Sequence, residues 1–222
     1  MHLTTILAII VAVGLSVSRA HADAVSILVL DQHGEPVSGA VLMGPATYRP
    51  ANAADTQMRP AAVMDQIDKA FVPQILIVEQ GRQVNFPNSD NIRHHVYSFS
   101  KPKVFELKLY AEQPEHPIPF NNPGIVVLGC NIHDRMTGYI IVSDTQSWAQ
   151  TDATGKAQLE LPANQPLRIW HARKASGFDD VEERILPTTT ERDIELRLEL
   201  KPIPKPEPVR GFGSDRFKHH GR

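Results

Sequence analysis

The chain has 222 residues, 41% of them apolar and 22% charged, with 23 Lys and Arg against 25 Asp and Glu for a formal charge of −2. That length suits one large or two small domains, either able to bury a core. The near-neutral, slightly acidic balance has no aromatic-basic stripe and excludes a nucleic-acid binder.

At the start, Ile6 to Val17 is an apolar run and Ala20-His21-Ala22 is a small-x-small cleavage site. Together they predict a signal peptide over 1–22, although no Lys or Arg precedes the run. Twelve apolar residues are too few to span a bilayer, so no membrane span is expected once the leader is removed. The expected mature chain, Asp23 to Arg222, is exported to a bacterial periplasm or an equivalent space. Removing Arg19 takes the charge from −2 to −3; the six basic and two acidic residues from Lys201 onward make the tail +4, leaving the body at −7.

Ala24 to Leu30 reads as a strand, Asp31 to Pro36 as a turn and Val37 to Met43 as a second strand. Pro45 to Pro60 lacks periodicity and reads as a loop. Met64 to Phe71 and Gln74 to Val78 are expected to be two strands bent around Pro73, at an edge because proline breaks a central strand. Glu79-Gln80-Gly81 then turns into Val84 to Phe86. His94 to Phe99 is strand-like. Val104 to Tyr110 alternates, with Phe105, Leu107 and Leu109 on the face expected to be buried. Ala111 to Pro123, with four prolines, is read as a loop anchored by Phe120.

Ile125 to Gly129 and Tyr139 to Val142 are apolar runs that bracket a short polar loop. Beyond them, Thr151 to Gly155 is a turn, Ala157, Leu159 and Leu161 alternate, Leu167 to His171 is a strand, and Ile194 to Leu200 alternates again. Prolines 202, 204, 206 and 208 cannot join a sheet, so 201–222 is expected to be an extended spacer and a disordered basic tail.

Cys130 is the only cysteine. In an oxidising compartment it has no partner within the chain for a disulfide, which leaves a free thiol, an intermolecular bridge or a metal ligand. His133 and Met136 follow it at Cys-x2-His-x2-Met spacing, and a thiolate, an imidazole and a thioether form a soft set suited to copper. A further ligand is expected from the loop Asn88 to His95, where it enters a strand. His94 or His95 fills that place, and only one of two neighbours on a strand faces the metal.

An early histidine opening a strand, followed by Cys-x2-His-x2-Met between two late strands, resembles the blue copper (cupredoxin) family. The three-residue steps are most similar to amicyanin, and Asn88, six residues before His94, is similar to the plastocyanin pattern. The resemblance covers roughly 62–145. It implies a Greek-key sandwich holding one type 1 copper, with His94, Cys130 and His133 as strong in-plane ligands and Met136 as the weak axial one. Alignment through Asn88 favours His94, with His95 as the alternative. The family usually has asparagine directly after this histidine, where the chain has His95.

The pattern Asp31-x-x-Gly34-x-Pro36-Val37 and the later Thr151-Asp152-x-x-Gly155 with Leu159-x-Leu161-Pro162 resemble the carboxypeptidase-regulatory-like family of small Ig-like sandwiches. The expected fold class is therefore all-β. Residues 23–45 and 148–200 would form the smaller sandwich, with the cupredoxin module inserted into it or joined to it.

These resemblances imply a periplasmic protein carrying single electrons between redox partners, one of them docking near His133, rather than an enzyme. The polar rim of Asn131, Ile132, Asp134 and Arg135 suggests recognition of that partner through charge. Two alternatives use the same residues: copper delivery or storage, and an adhesion or scaffold module with a non-redox metal loop. His33, His116, His219 and His220 read as solvated, and His171 as a core or interface residue. No nucleophile elbow, His-Glu-x-x-His, phosphate loop or haem-attachment motif is present.

Overall fold

A computed structural model describes residues 23–49, 59–162, 164–186 and 193–203, and every regular element among them is a strand. The signal-peptide reading, residues 50–58 of the expected loop and the tail from 204 lie outside the described residues. The chain opens with β1 (Asp23–Asp31) and β2 (Val41–Met43). Next come β3 (Ala62–Val63), β4 (Asp65–Ile67), β5 (Ala70–Val72), β6 (Ile75–Glu79) and β7 (Arg82–Asn85). The middle region continues with β8 (His94–Ser98), β9 (Phe105–Tyr110), β10 (Ile118–Phe120), β11 (Gly124–Cys130) and β12 (Thr137–Ser143). It closes with β13 (Trp148–Gln150), β14 (Lys156–Leu161), β15 (Pro166–Trp170), β16 (Glu182–Ile185) and β17 (Asp193–Leu198).

The first two strands pair only with the last five, in sheets ordered β14-β1-β17 and β13-β2-β15-β16. The strands between them form sheets β10-β7-β3 and β6-β12-β11-β8-β9, with β4-β5 as a separate hairpin. Period-two alternation distributes the apolar residues over three cores. Leu42 and Ile169 point into one core with Ile27, Val29 and Leu198. On the same strands Val41 and Trp170 point the other way, meeting Ile125, Ile141, Ile75 and Ile77 of the five-stranded sheet. The opposite face of that sheet supplies Val126, Leu128, Ile140 and Val142 to a third core with Phe71, Phe86 and Phe120.

The four larger sheets therefore stack with an apolar layer between each successive pair. Because the five-stranded sheet is covered on both faces, β11 and β12 read as continuous apolar runs rather than as alternating ones. Arg168 fastens the middle layer: Nε and Nη2 donate to Gly44 O at 3.0 and 2.8 Å, and Nη1 and Nη2 donate to the Asp144 carboxylate at 3.1 and 2.5 Å.

Three sequence expectations change. Met64 to Phe71 is not one strand: β4 turns back into β5 through Asp68 and Lys69, both in the left-handed region with φ of 52° and 61°. The stretch read as a proline-rich loop contains β10, an edge strand on β7, where Pro119 is tolerated because one side carries no ladder. In β9 an irregularity pairs His94 with Tyr110 but Val96 with Leu107, so Lys108 and Leu109 of β9 together oppose His95 of β8. The extra residue turns Leu109 out to 53% exposure instead of burying it, and Tyr110 packs against the third core.

Candidate metal centre

β8 and β11 are antiparallel neighbours with Val96 opposite Cys130. Inward-facing positions of β8 are His94, Val96 and Ser98, all buried, and β11 ends on Cys130 beneath the loop that leads to β12. Register alone thus brings a strand imidazole to the sulfur. His94 Nδ1 lies 3.6 Å from Cys130 Sγ, and His133 Nδ1 lies 3.7 Å from it. The two rings have centroids 5.1 Å apart and are tilted by 53°.

The donor atoms of His94, Cys130 and His133 all lie within 4.8 Å of one another. Bonds of about 2.0 Å to nitrogen and about 2.3 Å to sulfur, opened to a tetrahedral or trigonal angle, place N and S roughly 3.5–3.8 Å apart. The observed spacing would let these three donors hold one ion. Met136, 2% exposed, packs in the same core as Cys130, and its amide donates to His133 O at 2.9 Å to close the loop.

The tandem histidines part company. His94 is fully buried and faces the sulfur, whereas His95 points to the other side of β8, its Nε2 2.8 Å from a Glu106 carboxylate oxygen. That contact is close but is not an aligned hydrogen bond. The His95 backbone carbonyl nevertheless serves the centre, accepting the Asn131 amide at 3.2 Å and so tying the two loops together.

Behind the histidine sits a residue the motif reading passed over. His94 Nε2 lies 2.6 Å from Asp90 Oδ2. Asp90 Oδ1 accepts the Asp68 amide at 2.6 Å, and Oδ2 accepts the Lys69 amide at 3.0 Å. Burial pushes the Asp90 carboxyl up, but the Lys69 amide, the His94 ring and the Asp68 amide outweigh it and hold the group below the ordinary carboxylate range. An acid four residues before a candidate ligand was the available signal. Its partners lay in a turn that the sequence concealed within a strand.

Asn88 shapes the loop. Its Nδ2 donates to Ile92 O at 2.8 Å and Tyr110 O at 3.1 Å, and its Oδ1 accepts the Asp90 amide at 3.1 Å. Fully buried Gln66 donates to Pro87 O at 3.0 Å and to the Tyr110 hydroxyl at 2.5 Å, and that hydroxyl donates to Phe86 O at 2.9 Å. Burial pushes the Tyr110 phenol well above its usual range, so it remains a neutral donor. Across the sheet, Tyr97 covers Gly129, where an added Cβ would stand 2.7 Å from the ring.

No protein-family model matches the chain, and no curated protein matches it. Among solved structures it is similar to an oxidized point mutant of amicyanin, at 22% identity and a TM-score of 0.34, over 47% of this chain and 99% of that one. It is also similar to a copper-containing nitrite reductase from Thermus scotoductus SA-01, at 23% identity and a TM-score of 0.36, over 52% of this chain but only 28% of that one. A purple cupredoxin from Nitrosopumilus maritimus is matched over its whole length and 38% of this chain, at 20% identity and a TM-score of 0.33.

Proposed function

We propose that the chain binds one copper ion through His94 Nδ1, Cys130 Sγ and His133 Nδ1, with Met136 as a weak fourth donor, and carries single electrons. The observation that carries this reading is the pair of imidazole nitrogens at 3.6 and 3.7 Å from one buried sulfur. The spacing suits zinc as well, but a single thiolate with two imidazoles and a neighbouring thioether is the softer, copper-type set.

Copper in such a set supplies a one-electron couple. The chain's own residues account for the rest. β8 and β11 hold His94 and Cys130 on two hydrogen-bonded strands, so the donors change little in position when charge changes. Cys130, 4% exposed, is kept from bulk solvent and from other thiols. His133 is only partly buried and is flanked by exposed Asn131, Ile132, Asp134 and Arg135, which makes its ring edge the favoured contact for a redox partner. Export to a periplasm is part of the same proposal and rests on the apolar run and cleavage pattern of residues 1–22.

The test is the visible spectrum of the purified protein. Adding Cu(II) is expected to produce an intense thiolate-to-copper absorption that ascorbate bleaches and air or ferricyanide restores. A colourless complex, or a colour that survives in Cys130→Ser, defeats the reading.

A further inference from the structure

The contacts behind His94 extend well past the ligands. β4 is zipped to the loop before β8: Ser89 Oγ donates to Asp65 Oδ2 at 2.8 Å, the Ser89 amide donates to Gln66 O at 3.0 Å, and Gln66 bridges Asn88. This places the tip of the β4-β5 hairpin over Asp90. At that tip two consecutive non-glycine residues adopt positive φ, and both of their amides aim at one carboxylate. Such a conformation is unfavourable for side chains with a Cβ and persists where surrounding contacts enforce it.

Two amides fix the carboxylate, and its third contact is the His94 ring at 2.6 Å. A carboxylate there accepts the proton of Nε2, which leaves the Nδ1 lone pair as the one facing Cys130 Sγ. It also pushes electron density into the ring, making His94 a stronger donor to the more highly charged state of a metal.

We propose that Asp90, held by the Asp68-Lys69 turn, is a positioning residue that selects the metal-facing nitrogen of His94 and biases the centre toward Cu(II), lowering its reduction potential. This rests on the copper reading above. The hairpin is thereby a tuning element for the centre and not only a cover for the core.

The experiment compares wild type, Asp90→Asn, Asp90→Glu and a charge control, Glu106→Gln, which removes a carboxylate from His95 without touching His94. Asparagine presents N–H groups to the turn amides, so Asp90→Asn is also made in an Asp68→Asn, Lys69→Gly background, whose residues suit the left-handed turn positions without help. The first readout needs no metal: ¹⁵N chemical shifts of the His94 ring, recorded at rising pH until they no longer change. Wild type is expected to show one tautomer with the proton on Nε2, and Asp90→Asn a mixture.

The second readout is the ratio of Cu(II) to Cu(I) affinity. Loss of the carboxylate is expected to lower Cu(II) affinity by about 10–100-fold with a smaller effect on Cu(I). Each tenfold fall in the ratio raises the potential by about 59 mV. Asp90→Glu is expected to fall between wild type and Asp90→Asn, and Glu106→Gln to leave the tautomer unchanged.

An unaltered tautomer in Asp90→Asn, or equal shifts in potential for Asp90→Asn and Glu106→Gln, overturns the proposal. Failure of wild type to develop a thiolate-copper band defeats the copper reading instead, and the metal-free tautomer result still stands or falls for Asp90.

Discussion

The Tyr139 ring stands edge-on to Trp170, centroids 5.1 Å apart, and this contact joins the five-stranded sheet to the smaller sandwich. Trp170 is fully buried and its Nε1 donates to Phe178 O at 2.6 Å, so one side chain supplies both apolar area and a hydrogen bond at the junction. Trp170→Ala is expected to cost about 3–5 kcal/mol, the range for truncating a buried large aromatic. Trp170→Phe keeps most of the packing and loses the hydrogen bond to the Phe178 carbonyl, at about 0.5–1.5 kcal/mol. Urea unfolding followed by circular dichroism measures both. If neither variant moves the midpoint, the two sandwiches are not mechanically joined there.

The tandem histidines give a direct contrast. His94→Gln removes an imidazole 3.6 Å from the sulfur and is expected to abolish the intense copper absorption. His95→Gln removes a ring that faces Glu106, and the absorption is expected to survive with a small change. The backbone carbonyl that holds Asn131 is present in both variants. Colour lost in His95→Gln and kept in His94→Gln would exchange the two assignments.

Gly138 sits in β12 opposite Leu128, and the missing side chain is what lets Phe71 of the hairpin lie against the strand. A Cβ at this position would come 2.8 Å from Phe71 Cβ, closer than packed atoms tolerate. Gly138→Ala is expected to destabilise by about 1–3 kcal/mol through overpacking. Phe71→Gly, which removes the crowding Cβ along with the ring, alone opens a cavity, yet the two together should cost less than their sum because the alanine methyl at 138 then meets no Cβ. A thermodynamic cycle built from four denaturation curves checks this. Strict additivity would show that Phe71 does not rest on Gly138.

How much of this was legible in the sequence depended on whether the signal was local. Cys130, His133 and Met136 share one seven-residue stretch, so their spacing could be read directly, and the structure brings Cys130 and His133 together. The alternation of β14 and β17 likewise displayed its buried faces. Leu109 misled because one added residue in β9 reverses the inside and outside of everything after it, and no composition marks that residue. Asp68 and Lys69 hid a turn because neither is glycine; the contacts holding them at positive φ come from Asp90, some twenty residues onward. Asp90 itself was in view, but its role depends on a hairpin that pattern reading had flattened into a strand.

The last prediction concerns acid. His171 is 6% exposed in the smaller sandwich; its Nδ1 accepts the Arg173 amide at 3.2 Å and its Nε2 donates to Ser38 O at 3.3 Å. Both nitrogens are thus satisfied by the neutral ring, and a second proton would have to sit on Nδ1 against an N–H group. Burial pushes its pKa below the usual 6.5, and the bond to Ser38 O opposes this without reversing it. The unfolded chain therefore binds the proton more readily than the folded one, and stability rises with pH across the interval between the two pKa values. The contribution is fully present above about 6.5, the unfolded value, and is lost as pH falls through the lower folded one. His171→Gln keeps an amide donor for Ser38 O and removes the titration. Thermal unfolding of metal-free wild type and variant across this range should show wild type losing midpoint more steeply as pH drops. Parallel curves would mean that the buried ring takes up its proton as easily as a solvated one.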